Sequence, residues 1–351
     1  MSSALHKIVL SLSLTVMLGI QTGFSQDVHF SQFDAAPLYF NPALSGLMEC
    51  NNRFISNFKG QWSTYNSFML SYDRPLPAFS LAGGDFGLGA LINADYAGET
   101  TYGNTMLKIM PAYHKEIIPG FFKLSTGLDV MFNHNSVDET KVVLPGQIDP
   151  NTGEAVVGTD FEKTSKLYSD LGLGINGEFR LQNDIPINAG ITFHRLLGSG
   201  GGGFATTQAP SNYRRYSLNA NAVYPINTTV SLLPSFIFLK QKKYNEMNAG
   251  TFVKFSLGEQ TSLLDALYAG AWYRFGDALI FGLAFDKPIN TKWTLNFGFS
   301  YDLTVSSFSE SNKWKSTNNV GKDSFEISIK LINCKLPIIL NPEGIINDPF
   351  R

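Results

Sequence analysis

One hydrophobic pattern runs through most of this chain after Arg53: apolar and polar residues alternate strictly over runs of about 10–13 residues. The clearest run carries these residues on its more apolar face: Phe122, Leu124, Thr126, Leu128, Val130 and Phe132. Strands in soluble proteins usually have about 5–6 residues, whereas a tilted strand needs about 9–11 residues to cross a bilayer. The length of the runs therefore favours strands that span a membrane.

Fourteen such runs are present, and we interpret each as one strand. They lie near residues 53–61, 65–74, 86–95, 104–115, 121–133, 167–180, 185–196, 214–225, 229–240, 247–257, 266–275, 278–286, 291–303 and 323–332. An even number of antiparallel strands closes into a barrel with both termini on one side. The sequence therefore predicts an all-β fold, a transmembrane antiparallel β-barrel of about 14 strands over residues 53–332.

The connections between the runs differ in length according to their parity. The longest, 134–166, 197–213 and 304–322, follow the fifth, seventh and thirteenth runs, so all three would leave the barrel at one rim. Most connections after even-numbered runs are short, although 75–85 and 258–265 are not. Outer-membrane barrels combine short periplasmic turns with long outer loops. In the alternative fold, a secreted β-sandwich, this parity would be accidental.

The long loops of a rigid barrel are a suitable place for partner contacts. Exposed aromatic residues often dominate such contacts. We predict four aromatic residues of these loops as partner contacts: Phe161, Phe204, Phe308 and Trp314. Packing within the loops or at the strand ends is the alternative for each of them.

The N-terminus has the pattern of a secretory signal peptide over residues 1–25. Lys7 precedes an apolar stretch over residues 8–20, and the small residues Gly23 and Ser25 follow it. An N-terminal anchor helix is the alternative. We expect export to the outer membrane of a Gram-negative bacterium, with lipid around the barrel and both termini in the periplasm. The formal net charge of −2 gives no indication of nucleic-acid binding.

The two cysteines flank the predicted barrel. Cys50 precedes the first strand and Cys334 follows the last, and the first and last strands of a closed barrel are neighbours. An oxidising periplasm permits disulfides. We therefore predict a bond between Cys50 and Cys334 across the seam of the barrel; two unrelated free thiols are the alternative.

Sequence motifs for catalysis or cofactor binding are absent. The five histidines lack the spacing of a metal site, and no nucleophile or nucleotide-binding motif occurs. We therefore expect a protein that is not an enzyme and has no cofactor. Six charged residues lie on the predicted lumen faces, where they would form either a hydrated, salt-bridged interior or a plug-binding surface. They are Asp129, Asp170, Glu178, Arg180, Arg274 and Asp302.

The segment 26–52, between the signal peptide and the first strand, does not alternate. It resembles the N-terminal signature of the PorP/SprF family, outer-membrane proteins associated with the type IX secretion system of Bacteroidota. The residues that match this signature are Asp27, His29, Phe30, Ser31, Gln32, Pro37, Leu38, Tyr39, Asn41, Pro42, Ala43 and Gly46. Further residues that resemble family positions are Arg53, Gln61, Trp62, Ser71, Tyr72 and Asp73. The chain departs from the family in an apolar tail over residues 333–351.

The resemblance implies a role without catalysis. Family members support the secretion or cell-surface attachment of large adhesins that carry a C-terminal sorting domain, including adhesins of gliding motility. Others are linked to the periplasmic part of the secretion machine. The expected partners are therefore a secreted adhesin and type IX secretion components of the periplasm or outer membrane. A passive porin or a channel for hydrophobic substrates is the alternative function, and an outer-membrane enzyme is a third.

The aromatic residues of the segment 26–52 suggest a plug. The segment would be anchored inside the barrel or across its periplasmic mouth by four aromatic residues: Phe30, Phe33, Tyr39 and Phe40. His29 and Asp34 would then form hydrogen bonds with polar groups of the lumen. Packing that only completes the fold is the alternative.

Overall fold

The structure, a computed structural model, is a closed antiparallel β-barrel. It describes residues 30–61, 65–97, 102–137, 164–181, 185–197, 213–257, 263–306 and 323–334. The strands of this part of the chain are β1 (Asn52–Gln61), β2 (Tyr65–Leu81), β3 (Gly84–Ala97), β4 (Tyr102–Ile118), β5 (Phe122–Val137), β6 (Thr164–Leu181), β7 (Ile185–His194), β8 (Arg215–Ala222), β9 (Val230–Gln241), β10 (Tyr244–Ser256), β11 (Ala266–Arg274), β12 (Ala278–Asn290), β13 (Trp293–Thr304) and β14 (Ser324–Asn333). After a break at Val223, β8 resumes briefly at Tyr224–Pro225.

Every strand pairs with its neighbours in sequence, and the last strand closes the sheet on the first. The closing pair aligns Asn52 with Asn333 and Gln61 with Ser324, so β1 and β14 are paired along their whole length. The prediction of a transmembrane antiparallel barrel of 14 strands is confirmed.

The two ends of the barrel differ in their connections. We call the end that contains Cys50 the turn rim and the opposite end the loop rim. At the turn rim the connections 82–83, 119–121 and 291–292 are short. The three long connections, 138–163, 195–214 and 305–323, all begin and end at the loop rim, as their parity predicts.

One predicted connection, 75–85, is wrong. β2 continues to Leu81 and β3 already begins at Gly84, because a register shift between Leu76 and Ser80 lets the two strands pair beyond the expected end. The turn is reduced to Ala82 and Gly83, both with positive φ, which is typical of a tight two-residue hairpin.

The polarity of the barrel is inverted relative to a soluble protein. Large apolar side chains on the outer face are exposed, such as Leu128 at 50% and Leu283 at 62%. Ionisable side chains on the inner face are buried, such as Lys108 at 2% and Glu326 at 0% exposure. An apolar outer belt around a polar interior is the arrangement that lipid requires of a barrel.

Before β1 the described chain makes three short helical turns: Phe33–Ala35, Pro37–Phe40 and Pro42–Leu44. Pro37 and Pro42 each begin a turn, at the position where the missing N–H of proline costs no hydrogen bond. The side chain of Asn41 caps the last turn by accepting a hydrogen bond from the Ala43 N–H. None of the described helices has the length and apolar character needed to cross a bilayer.

Cys50 and Cys334 form a disulfide at the turn rim, where β1 and β14 meet. Next to it, the Asn51 N–H donates to the Asn333 carbonyl, which continues the ladder of the closing strand pair. The bond links residues 284 positions apart. In the unfolded state it therefore restricts the conformations of nearly all of the chain that forms the barrel.

We expect Cys50→Ser to lower the thermal stability of the purified barrel, since loss of a long-loop disulfide typically costs about 2–5 kcal/mol. The measurement is the temperature at which the folded band converts to the unfolded band in unboiled gel samples. The double variant with Cys334→Ser should unfold at the same temperature as the single one. An unchanged unfolding temperature would show that the bond adds no stability.

Candidate functional site: the lumen and the segment inside it

Residues 30–46, which we call the plug segment, lie inside the barrel. At the turn rim the Gly46 N–H donates to the Asp73 carboxylate at 2.8 Å. At the other end, Ser31 contacts Asp302 and Glu326, which lie two residues from the loop-rim ends of β13 and β14. The segment therefore spans the lumen from the turn rim to the loop-rim half.

Three residues that match the family signature hold the segment at the turn rim. Arg53 binds both carboxylate oxygens of Asp73, through Nε at 2.9 Å and Nη2 at 2.8 Å, while Asp73 also accepts from Gly46. Gly46 has a φ of +70°, and a Cβ there would lie 2.5 Å from the Arg74 carbonyl oxygen. Glycine is therefore required at this bend by conformation and by space.

The aromatic residues of the plug segment pack into an apolar collar in the middle of the lumen. Phe30 and Tyr39 meet edge to face at 5.2 Å, and Phe40 lies 5.4 Å from the Tyr39 ring. The collar residues on the barrel wall are Met69, Leu91, Met106, Met110, Met131, Tyr168, Ile237 and Leu239. The sequence analysis did not predict this collar, although each of these residues lies at an inward-facing position of its strand. Several are methionines, whose flexible side chains can pack against an irregular surface.

Wall glycines allow the segment to approach the strands closely. A Cβ at Gly127 would lie 2.4 Å from the Pro42 carbonyl carbon, and a Cβ at Gly174 would lie 2.2 Å from Asn41 Oδ1. Asn41 Nδ2 donates to the Ile175 carbonyl and to Asn219 Oδ1, each at 3.2 Å. One side chain of the segment thus binds both β6 and β8.

A buried group of charges holds the N-terminal end of the segment. We call Lys59, Arg274, Asp302 and Glu326 the charged seat; their exposure is between 0% and 4%. Ser31 Oγ donates to Asp302 at 2.5 Å and accepts from Lys59 Nζ at 2.7 Å and Arg274 Nη2 at 3.0 Å. The Ser31 N–H donates to Glu326 at 2.6 Å. Arg274 and Asp302 were predicted on the lumen face, whereas Lys59 and Glu326 were missed.

Two further side chains of the segment bind the same wall. Gln32 Nε2 donates to the Glu326 carbonyl at 3.1 Å, and Ser328 Oγ donates to Gln32 Oε1 at 2.6 Å. Asp34 accepts from Lys330 Nζ at 2.6 Å. Asp34 was expected to form a hydrogen bond with a polar group of the lumen, and in the structure that group is Lys330.

A second ionic group lies on the opposite wall. Lys108 Nζ donates to Asp129 Oδ2 at 2.9 Å, and His194 Nδ1 lies 3.2 Å from the same oxygen. Arg215 donates to the Tyr39 hydroxyl at 3.0 Å and stacks over its ring at 4.7 Å. In the described part of the chain, no three His, Cys, Asp or Glu side chains are grouped as metal ligands.

The other predicted site residues lie elsewhere. Asp170 accepts backbone N–H bonds from Leu171 and Leu197. Glu178 and Arg180 form a partly exposed group with Glu49 at the turn rim. Outside the described residues are Asp27, His29, Phe161, Phe204, Phe308 and Trp314.

The plug segment therefore contacts walls on opposite sides of the barrel. Its first residues bind β1, β11, β13 and β14 through the charged seat. Its middle binds β6 and β8 through Asn41, and its end binds β2 through Gly46. Such contacts fix the segment in position and occupy space that a 14-stranded barrel would otherwise leave to water.

A closed barrel with an apolar belt and a filled polar lumen defines an outer-membrane type of protein. The sequence profile of the type IX secretion system membrane proteins PorP/SprF matches residues 22–329. The chain belongs to this family. No curated protein matches the sequence.

Solved structures show the same fold at low sequence identity. The Ralstonia pickettii toluene transporter TbuX is 12% identical, with 89% of this chain and 95% of that chain covered and a TM-score of 0.52. A Pseudomonas aeruginosa FadL homologue is 10% identical, with 84% and 92% covered and a TM-score of 0.47. The similarity to TbuX supports the barrel architecture and carries no information on a ligand.

We expect Asp302→Ala to lower the stability of the folded barrel by about 3–5 kcal/mol, because it removes the carboxylate shared by buried Lys59 and Arg274. Thermal unfolding of the purified protein in detergent measures the change. The control is Glu49→Gln, which removes a partly exposed ion pair with Arg180 and should cost under about 1 kcal/mol. Equal effects of the two variants would contradict a structural role for the charged seat.

Proposed function

We propose that this barrel is a non-enzymatic platform of the type IX secretion system that supports the secretion or cell-surface attachment of a large adhesin. The observation that carries the proposal is the filled lumen: the plug segment is bonded to β1, β2, β6, β8 and β14. A barrel filled in this way acts as a rigid support rather than as a pore. The family membership supplies the secretion system.

The energetics favour a segment that stays in place. Withdrawal of Ser31 would remove hydrogen bonds from Lys59, Asp302 and Glu326, all nearly inaccessible to water. A hydrogen bond to a charged group contributes about 1.5–3 kcal/mol. Withdrawal would also expose Phe30, Tyr39 and Phe40, which are at most 2% accessible. Several such losses together make spontaneous opening rare.

The adhesin is expected to bind at the loop rim. The connections 138–163, 195–214 and 305–323 begin and end there, and they contain the predicted contact residues Phe161, Phe204, Phe308 and Trp314. The charged seat supports this rim from inside, since Asp302 and Glu326 belong to the two strands that the connection 305–323 joins. The turn rim, with the termini in the periplasm, is then available to the periplasmic part of the machine.

The filled lumen predicts that the purified protein does not conduct ions steadily in planar bilayers. Deletion of residues 27–46 should produce stable open steps, because it removes the contacts by which Ser31, Asn41 and Gly46 hold the segment across the lumen. Gly174→Ala should give intermittent openings, since its Cβ would collide with Asn41. Gly103→Ala serves as the control, because the nearest atom to its Cβ would be the Ser136 hydroxyl of the wall at 3.0 Å and none of its contacts belongs to the plug segment.

Heat-dependent gel mobility shows whether each variant forms the barrel, and the Gly174→Ala variant tests the idea if the deletion does not fold. Steady conductance of the wild-type protein, at a level like that of a porin, would support the alternative function as a passive channel.

Affinity purification of the intact protein from its native membrane, followed by mass spectrometry, tests the platform role. We expect a surface adhesin with a C-terminal sorting domain and at least one type IX secretion component. Alanine at all four predicted loop aromatics should reduce adhesin recovery at least fivefold at equal barrel levels. The matched control is Phe281→Ala, which removes an aromatic residue from the lipid-facing wall. Recovery of neither class of partner would refute the proposal.

A further inference from the structure

Charge is distributed unevenly around the barrel. Residues 185–245, which form β7, β8, β9 and the start of β10, contain six Lys or Arg residues and no Asp or Glu. Two of the six, Arg195 and Arg215, are buried. The other four are exposed, and we call them the basic corner: Arg214, Lys240, Lys242 and Lys243. The connection 195–214 belongs to the same stretch, so it adds no carboxylate to this corner.

The basic corner lies at the loop rim. Arg214 directly precedes β8, Lys240 is one residue from the end of β9, and residues 242–243 form the turn to β10. Lys242 Nζ donates to the Tyr213 hydroxyl at 2.7 Å and lies 4.0 Å from the centre of its ring. This contact joins the turn to the start of β8, beside Arg214. The four cations therefore form one patch.

The patch is specific to this side of the barrel. The other Lys and Arg side chains that the structure describes as exposed lie in the turn-rim half: Arg74, Lys287 and Lys292. At the loop rim of β13 and β14, the exposed hydroxyl of Tyr301 donates to the carboxylate of Asp323 instead. Positive charge at the described loop rim is thus concentrated on β8 to β10.

Aromatic side chains show the depth of the patch in the membrane. Lys240 lies opposite Tyr216 of β8, whose ring meets the Phe193 ring edge to face at 5.7 Å. One row nearer the turn rim, the lipid-facing pair is Phe238 and Leu218. Aromatic residues on the outside of a barrel mark the level of the lipid headgroups. Lys240 therefore lies where the apolar belt meets the headgroups.

This arrangement fits an anion that carries apolar chains. Lys and Arg donate strong hydrogen bonds to phosphate oxygens, and clusters of basic residues beside a membrane bind anionic lipid headgroups. The row of Leu218 and Phe238 offers an apolar surface directly below the charges. A free phosphate would use only the charges, and so would an acidic protein surface. A membrane lipid with a phosphate headgroup uses both parts of the surface.

We propose that the basic corner binds the phosphate of a glycolipid of the lipid A type, with its acyl chains over Leu218 and Phe238. The choice of this lipid rests on the orientation in the proposed function, since a loop rim on the outside meets the leaflet that consists of phosphorylated glycolipid. The binding itself requires no adhesin.

Native mass spectrometry of the full-length protein in detergent tests the proposal. Monophosphoryl lipid A is added at defined concentrations, and the fraction of barrel that carries one lipid is measured. We expect at least fivefold less binding of the dephosphorylated lipid with the same acyl chains. Phosphatidylglycerol should bind more weakly than lipid A, and inorganic phosphate at the concentration of the lipid should not displace it.

A charge variant locates the site. Replacement of three cations of the corner in one protein should reduce lipid A binding at least fivefold: Arg214→Gln, Lys240→Gln and Lys243→Gln. The matched control removes the same charge at the turn rim and should bind as the wild type does: Arg74→Gln, Lys287→Gln and Lys292→Gln. Heat-dependent gel mobility shows that each barrel is folded. Lys240→Gln alone, with an expected loss of at least twofold, replaces the triple variant if that protein does not fold.

Several results would overturn the proposal. They are equal losses in the two triple variants, equal binding of phosphatidylglycerol, displacement by inorganic phosphate, and a corner variant that keeps lipid A but loses an acidic protein partner in native membranes. Lipid A binding without recovery of an adhesin or secretion component would count against the platform role alone. Recovery of those partners without lipid A binding would count against this proposal alone.

Discussion

The structure depends on the compensation of charge inside a wide barrel. Fourteen strands enclose more space than their own side chains fill, and the wall carries ionised groups that neither lipid nor bulk water reaches. Buried charges are stable only when they are paired and hydrogen-bonded. The plug segment supplies part of that pairing, because Ser31 lies at the centre of a group formed by Lys59, Arg274, Asp302 and Glu326. The segment is therefore part of the folded barrel.

The segment also connects the two ends of the molecule. Its C-terminal end is held at the turn rim by Asp73 and Arg53, close to the disulfide that joins β1 and β14. Its N-terminal end reaches the charged seat, beside the strands that carry the connection 305–323. A load applied to a partner at the loop rim would thus be shared by the wall and by a segment fixed at the turn rim. Such load sharing is the property that the proposed platform role would require.

Different parts of the lumen wall differ in chemistry. The polar side, formed by β13, β14 and β1, holds Gln32 and Asp34 through hydrogen bonds and one ion pair. Phe252 and Trp272 belong to a small buried apolar cluster on β9 to β12. The second ionic group, with Lys108 and Asp129, lies on β4 and β5.

The barrel was predictable from local pattern, since lipid on one face and a polar lumen on the other require strict alternation in every strand. That alternation predicts the fourteen runs, the parity of the long connections and the proximity of Cys50 to Cys334. The end of β2 was mispredicted because the register shift between Leu76 and Ser80 depends on pairing with β3. The residues that hold the plug segment were found only in part. Asp34 and Asp302 could be predicted because each is a charged residue in a segment expected to line or enter the lumen. Met69, Met106 and Met131 could not be distinguished from other apolar residues of alternating strands.

The sequence by itself determined the class of fold, the two faces of each strand and the family, because each depends on residues close together in the chain. Only the tertiary structure decided what fills the lumen. The contacts of Ser31 with Glu326, of Asn41 with Asn219 and of Tyr39 with Arg215 join residues more than 170 positions apart. Such contacts arise when closure of the barrel brings distant strands around one segment. No local pattern contains that information.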